Sequence, residues 1–275
     1  MRSPNRRSSN RWSKTVLAFA AFSLLPIYWL VVLSFQPNRA SETTLNLIPS
    51  PPTVQHYSFI FFNQDWVDGY WNAAVYVFLN VFLTLVVSLP AAYGFSRFRF
   101  AGDRQAFFFV LVFRMIPPAV VMIPFFEMFS DLGLIDTHMA VAIAHCMFTV
   151  PIAIWILEGF IGAIPTEMEE IADVDGYSRF GFFLKILFPQ IRVGIAVTAF
   201  FCFVFSWAEL ILANSLTTVQ AKPIGVIMKI VASPVGQVHI GIASAASVLM
   251  LIPGTIFLWL LRKHLVRGLS MGRVA

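Results

Sequence analysis

The amino-acid sequence predicts an all-α polytopic membrane protein with six transmembrane helices, and three observations point there. Of its 275 residues, 58% are hydrophobic and 12% charged, whereas a water-soluble domain carries about 25% charged residues. Six apolar runs reach the roughly 20 residues that a helix needs to cross a bilayer: Thr15–Phe35, Ala73–Phe95, Gln105–Phe129, Thr137–Gly159, Val193–Ala213 and Ile240–Leu261. Third, the basic residues are sorted. Arg2, Arg6, Arg7, Arg11 and Lys14 precede the first run; Arg97, Arg99 and Arg104 follow the second. Arg179, Lys185 and Arg192 lie between the fourth and fifth, and Arg262, Lys263, Arg267 and Arg273 follow the sixth. The opposite side holds Arg39, Lys222 and Lys229. Cytoplasmic loops collect Lys and Arg, so both termini are expected in the cytoplasm. The net charge of +5 follows from this bias and calls for no nucleic-acid partner.

Residues 1–14, MRSPNRRSSNRWSK, form a basic tail expected to be disordered until Trp12 meets the membrane interface. The first span, 15–35, is followed by PNRASETT without a small-residue cleavage site, so it reads as an anchor rather than a signal peptide. Residues 36–71 form an external segment. Pro49, Pro51 and Pro52 preclude a regular helix there, and its aromatic residues suit an interfacial or partner-contacting surface. Residues 72–265 hold the other five spans, and 266–275 form a second cytoplasmic tail. Pro26, Pro90, Pro117, Pro118, Pro124, Pro151 and Pro253 fall within spans, as kinks for gating or for packing. In the external segment Asn214 to His239, the apolar centre Ile224–Val231 is too short to span and is bracketed by Pro223 and Pro234. A short helix or re-entrant loop fits it. No internal repeat is visible, which speaks against an inverted-repeat secondary transporter.

Between spans four and five the chain reads EMEEIADVDGYSRFGFFLKILFP, and five of its fourteen acidic residues fall between Glu167 and Asp175. Thr166 followed by Glu169 has the spacing of a capping box, so a helix is expected from about Glu167. Acids in its first turns oppose the positive end of the helix dipole. Gly176 supplies a residue able to take positive φ and stop that helix. Ser178 then caps a second helix that runs through Phe180 to about Phe188, where Pro189 interrupts it. Ile171 and Val174 share one face, with Glu167, Glu170 and Asp173 on neighbouring faces. A helix resting on the anionic cytoplasmic leaflet is usually rich in Lys and Arg. These acids suit a basic groove on a soluble protein instead.

Ionisable residues inside spans are costly, so each is a candidate site. Arg114 in span three and Glu158 in span four read as a structural pair, with a transport role as the alternative, and Glu127 reaches toward headgroups. Glu209 follows Trp207 by two residues in span five. With Asn214 these would receive a small hydroxylated solute, an aromatic face meeting C–H surfaces while polar atoms satisfy hydroxyls; Glu209 as a structural hydrogen-bond partner is the alternative. The five histidines lack metal-ligand spacing, and His138 and His145, seven apart, read as packing or polar lining. Cys146 and Cys202 lie within spans and suggest no structural disulfide. No G-x-x-x-x-G-K-[ST] loop occurs, so the chain is not expected to bind ATP, and no clustered residues suggest an enzyme.

Glu170-Ile171-Ala172, three residues, Gly176, nine residues and Ile186-Leu187-Phe188-Pro189 resemble the EAA motif of ABC importer permeases, E-A-A-x3-G-x9-I-x-L-P. Ile171 stands for the motif's first Ala and Phe188 for its Leu. Met115-Ile116-Pro117, Pro124, Leu132-Gly133-Leu134-Ile135-Asp136-Thr137, Ile164-Pro165, Phe205-Ser206-Trp207-Ala208-Glu209 and the tail from Arg267 to Arg273 resemble the maltose-type carbohydrate branch. The resemblance implies the type I permease fold, with coupling helices at 166–188. It implies that Glu167, Glu169, Glu170, Ala172, Asp173, Gly176, Phe180 and Pro189 form the ATPase-coupling surface, with Glu170 meeting a basic residue and Gly176 making the turn. It also implies a second homologous permease, two ATP-binding subunits carrying ATP and Mg, and an external solute-binding protein, in a bacterial inner membrane. No cofactor would be bound by this chain. The solute would be a small sugar or polyol, the pattern around span five looking most like the glycerol members. A stand-alone secondary transporter or channel is the alternative.

Overall fold

The computed structural model of the protein describes residues 6–37, 47–49, 51–231 and 240–271. Among these, every regular element is helical. In order they are α1 (Arg6–Ser34), α2 (Gln55–Phe62), α3 (Gln64–Arg97), α4 (Asp103–Phe113), α5 (Pro118–Asp131), α6 (His138–Gly162), α7 (Glu167–Val174), α8 (Arg179–Gln190), α9 (Arg192–Ala208), α10 (Ile211–Leu216), α11 (Ile224–Val231) and α12 (Ile240–Met271). Three are long and apolar enough to cross a membrane: α3, α6 and Ile240–Arg262 of α12. The count rises to five if α4 with α5, and α8 with α9, each make one broken span. Within α1, Phe19–Ser34 is a shorter apolar helix. Six full-length spans are therefore not reached by length and composition among the described residues.

Several boundaries differ from the sequence reading, each for a local reason. Span three is not one helix: α4 and α5 meet at 91° across Arg114–Pro117. Pro117 has an extended backbone (ψ 136°) and Pro118 opens α5, as two consecutive prolines deny the preceding turn its N–H donors. Span five ends at Ala208 rather than Ala213, because Glu209 turns extended and α10 starts afresh. The basic tail is helical from Arg6, where disorder was expected until Trp12. In the external segment, described residues 51–54 are irregular, and from Gln55 onward α2 and the first turns of α3 fill it, where no regular helix was expected. The short helix expected at Ile224–Val231 is present, while residues 232–239 and the tail from 272 lie outside the described residues.

The chain divides into two compact units. In the first (Met1–Val67 and Met228–Ile252), Thr53 N donates to Phe35 O at 2.8 Å, the Ser34 and Tyr57 hydroxyls lie 2.8 Å apart, and buried His56 places Nε2 2.8 Å from Gln36 O. These ties hold α2 against the end of α1.

The second unit (Asp68–Ile227 and Pro253–Ala275) is organised around α6, whose Ala140, Val141, Ala142, Ala144, Ala153, Leu157 and Ile161 are buried. Small side chains let neighbouring helices approach, as packing within a membrane requires. Asn80, Thr84 and Ser88 lie four residues apart on one face of α3 and tie it to α6. Asn80 Nδ2 donates to Ala142 O (3.0 Å) and Thr149 Oγ1 (3.1 Å), the Thr84 and Thr149 hydroxyls are 2.7 Å apart, and Ser88 donates to Val150 O at 3.4 Å. On its other side α6 meets α9, where a Cβ on Gly194 would sit 2.5 Å from the Phe160 ring. Glycine is needed there for the close approach. Ala92, Ile154, Leu157, Ile161, Ala172, Phe182, Leu187 and Ile191 form one buried apolar cluster that draws α7 and α8 onto α3 and α6.

Candidate functional site

Helix α7 begins at Glu167, as its acids and preceding Pro165-Thr166 suggest, but not through a capping box. The Thr166 side chain makes no capping hydrogen bond and its backbone is already helical (φ −69°, ψ −24°). Glu169 cannot close the box because its carboxylate is engaged elsewhere: Arg97 Nε donates to Glu169 Oε1, and the Tyr93 hydroxyl donates to Oε2 at 3.3 Å. The helix stops where glycine allows. Gly176 has φ +80°, and the Gly176 and Tyr177 amides donate to Asp173 O (3.1 Å) and Ala172 O (2.9 Å), which satisfies the last carbonyls of α7. Ser178 caps α8 as expected, its hydroxyl accepting from Gly181 N at 3.1 Å. Pro189 does not interrupt α8. The helix widens to a π turn over Phe183–Leu187, with Phe188 N donating to Phe183 O, and Pro189 sits at the start of the final turn, where its missing N–H is tolerated.

This local folding sorts the predicted residues. Glu167, Glu170, Asp173 and Gly176 are exposed, and so is Phe180 at 72%. Ile171 and Val174 are exposed at 62% and 88%, so the apolar face lies open beside the acids instead of resting on the bundle. Ala172 is buried in the apolar cluster and anchors the helix from behind. Glu169 is turned inward and is not part of the open face. The result is an acidic rim around three exposed apolar side chains, on a two-helix hairpin fixed at Gly176. Charge and apolar area of this kind fit a protein groove lined with basic residues.

The membrane trio is placed differently. Glu209 Oε1 accepts from the backbone N–H groups of Ile211 (2.7 Å) and Leu212 (3.0 Å), and Oε2 from Leu212 (3.1 Å) and Ala213 (3.2 Å). His145 Nε2 lies 3.0 Å from Oε2, and its Nδ1 lies 2.8 Å from Ser206 Oγ. The carboxylate thus caps α10 and joins α9 to α6, leaving little acceptor capacity for a solute. Of the two readings of Glu209, the geometry supports the structural one. Trp207 stacks on Phe203 (ring centroids 5.6 Å apart, 13° between planes), and Asn214 is half-buried in α10.

Arg114 and Glu158 do not pair. The break that ends α4 directs the Arg114 guanidinium over the Phe205 ring, 4.2 Å from its centroid. Glu158 instead lines a cavity of about 160 Å³ with Arg99, Asp103 and Arg104.

Three ties escaped the sequence reading. His145 is buried and central, although its helical face gave a hint. Arg97 was counted only as a topology marker. Asp136, with φ +62°, accepts from the N–H groups of Thr218, Val219, Gln220 and Ala221 and from the Thr218 hydroxyl, at 2.8 to 3.1 Å. Burial works against its charge, but the four backbone donors outweigh it and hold the carboxyl well below the usual carboxylate range. It pins the 217–221 loop to the turn before α6.

Residues 84–271 match the family described as binding-protein-dependent transport system inner membrane component. The chain is 28% identical over 271 residues to the trehalose transport system permease protein SugB of Mycobacterium tuberculosis (strain CDC 1551 / Oshkosh), covering 98% of each. A solved bacterial ABC transporter involved in the import of the acidic polysaccharide alginate has a chain that superposes with a TM-score of 0.80 at 20% identity, over 96% of this chain and 99% of that one. The bacterial alginate ABC transporter in complex with an alginate pentasaccharide-bound periplasmic protein gives 0.69 at 15% identity, over 92% and 91%.

Proposed function

The chain belongs to the family of binding-protein-dependent transport system inner membrane components, and on that premise we propose that it is the permease half of a bacterial ABC importer for saccharides. It is a multi-pass membrane protein and a non-catalytic subunit, with the ABC importer permease fold. The observation that carries the reading is the open hairpin at α7–α8: exposed Glu167, Glu170 and Asp173 around Ile171, Val174 and Phe180, turned at a left-handed Gly176. This surface docks in a basic groove of an ATP-hydrolysing subunit on the cytoplasmic side, and ATP and Mg belong to that subunit. A second, homologous permease completes the pore, and an external binding protein delivers the solute; the periplasmic protein complexed with the alginate transporter supports that partner.

The saccharide class rests on the trehalose and alginate names of the similar proteins. Glycerol rests on the resemblance of the span-five pattern alone, and the three similar proteins carry no such name. Trp207 and Asn214 remain the pathway candidates, a half-buried aromatic ring and a half-buried amide whose chemistry suits sugar C–H faces and hydroxyls. The test is uptake by the assembled complex in proteoliposomes, with trehalose, maltodextrin and glycerol offered in turn to lumenal ATP. ATP-dependent uptake of a saccharide supports the proposal; uptake of glycerol alone would correct the substrate class, and ATP-independent flux would favour a stand-alone transporter.

A further inference from the structure

The acids of α7 do not all face outward, and the one that turns back meets an unusual anchor. Arg97 is the last residue of α3, a helix of 34 residues, and its side chain is only 5% exposed. It makes two kinds of contact. Nε donates to Glu169 Oε1, and Nη2 donates 2.9 Å to the backbone oxygen of Ile164, in the turn between α6 and α7. Tyr93, one helical turn earlier on α3, donates its hydroxyl to the other oxygen of Glu169. Two hydrogen bonds thus join the end of α3 to Glu169 in the first turn of α7, and a third joins it to the turn just before α7. Beside these contacts the packing is incomplete: a cavity of about 290 Å³ is lined by Tyr93, Arg97 and Phe98 on one side and by Glu169, Asp173, Arg179 and Phe182 on the other. The remaining attachment is apolar, through Ala172 in the cluster with Ala92, Leu157 and Phe182.

The two attachments differ in what they transmit. Apolar contact is non-directional and survives a small sliding of one surface over another. A guanidinium held on both a carboxylate and a carbonyl fixes direction and register. We propose that Arg97 is a positioning residue that ties α7 to α3, so that a displacement imposed on the α7–α8 hairpin is passed to the membrane helix ending at Arg97. Without the tie, the hairpin would still dock but would move within its cavity before moving α3. The proposal rests on the docking reading above, and it assigns Glu169 to transmission rather than to the docked face.

The experiment uses the complete transporter in proteoliposomes and compares wild type with Arg97→Gln, Arg97→Lys and the exchange Arg97→Glu with Glu169→Arg. Three quantities are read: ATPase subunit retained on purification, ATP hydrolysed, and solute transported per ATP. The expected result is full retention of the ATPase subunit in all variants, with transport per ATP lowered about tenfold in Arg97→Gln, within the range of known coupling effects. Arg97→Lys keeps the charge but loses the two-way fork and falls between. The exchange recovers part of the ratio, since it restores the Glu169-side pair and not the Ile164 bond. An unchanged ratio in Arg97→Gln overturns the proposal, as does a parallel fall of transport and hydrolysis, which would mark a merely structural role. Failure of the docking reading looks different: the wild-type chain would not retain the ATPase subunit at all.

Discussion

The acidic helix α7 and the turn at Glu209 both set carboxylates at the amino end of a helix, yet they aim them in opposite directions. At α7, Glu167 and Glu170 point outward and leave the cap unmade by side chains. At α10, Glu209 folds back onto three N–H groups and a buried imidazole. The first arrangement contributes little to the fold and leaves its charge open at the surface. The second uses its charge to complete the bundle, satisfying the free N–H groups at the start of α10. Charge at the surface should therefore be expendable for folding and essential for assembly, while charge inside should be the reverse.

The largest effect expected from breaking that contrast is Glu209→Ala. It leaves several donors of α10 and the His145 ring without their acceptor, and each buried group left unsatisfied costs about 1–3 kcal/mol. Thermal unfolding in detergent should show a large loss of stability and a low yield of folded protein. Next, Gly176→Asp forces a side chain into the left-handed region, at about 1–2 kcal/mol, and adds a charge at the hairpin tip. Membrane insertion should persist while uptake is lost, measured by fractionation beside an uptake assay.

Asp136→Asn sharpens the contrast from a third position, a loop carboxylate that acts as a structural acceptor. Its stability should fall by about 1–3 kcal/mol, as expected when a charged acceptor of several hydrogen bonds is replaced by a neutral one. The pH sign follows from its depressed ionisation. The contribution of Asp136 is fully present above about pH 4, the unfolded carboxylate value, and is lost as pH falls through the lower, folded one. Melting temperature measured down a pH series should drop more in wild type than in Asp136→Asn at the acid end. The smallest change in stability belongs to Glu167→Gln, an exposed site where less than about 0.5 kcal/mol is expected.

Much of the hairpin was legible in the sequence because its determinants are local. Glycine at 176, serine at 178 and the spacing of Glu167, Glu170 and Asp173 act within a turn or two of helix, and each lands where local rules place it. Glu169 did not, since its partner Arg97 is 72 residues away. The same distance problem hides His145 from Glu209, 64 residues apart, and Asp136 from the 217–221 loop. Hydropathy marked where the apolar segments are but not whether each is a single helix. Pro117-Pro118 broke span three outright, whereas Pro90 and Pro151 stayed inside continuous helices. Proline counts alone do not distinguish the two outcomes; two prolines in succession broke the helix where single ones did not.

The most direct test of the account is tagged purification of this chain from its native membrane, wild type beside Glu170→Arg, with the accompanying proteins identified by mass. The account predicts that wild type retains an ATP-hydrolysing subunit and a second permease. Glu170→Arg should keep the permease and lose the ATPase subunit, with its melting temperature unchanged. Retention of the ATPase subunit by Glu170→Arg at the wild-type level would contradict the outward acidic face as the docking surface.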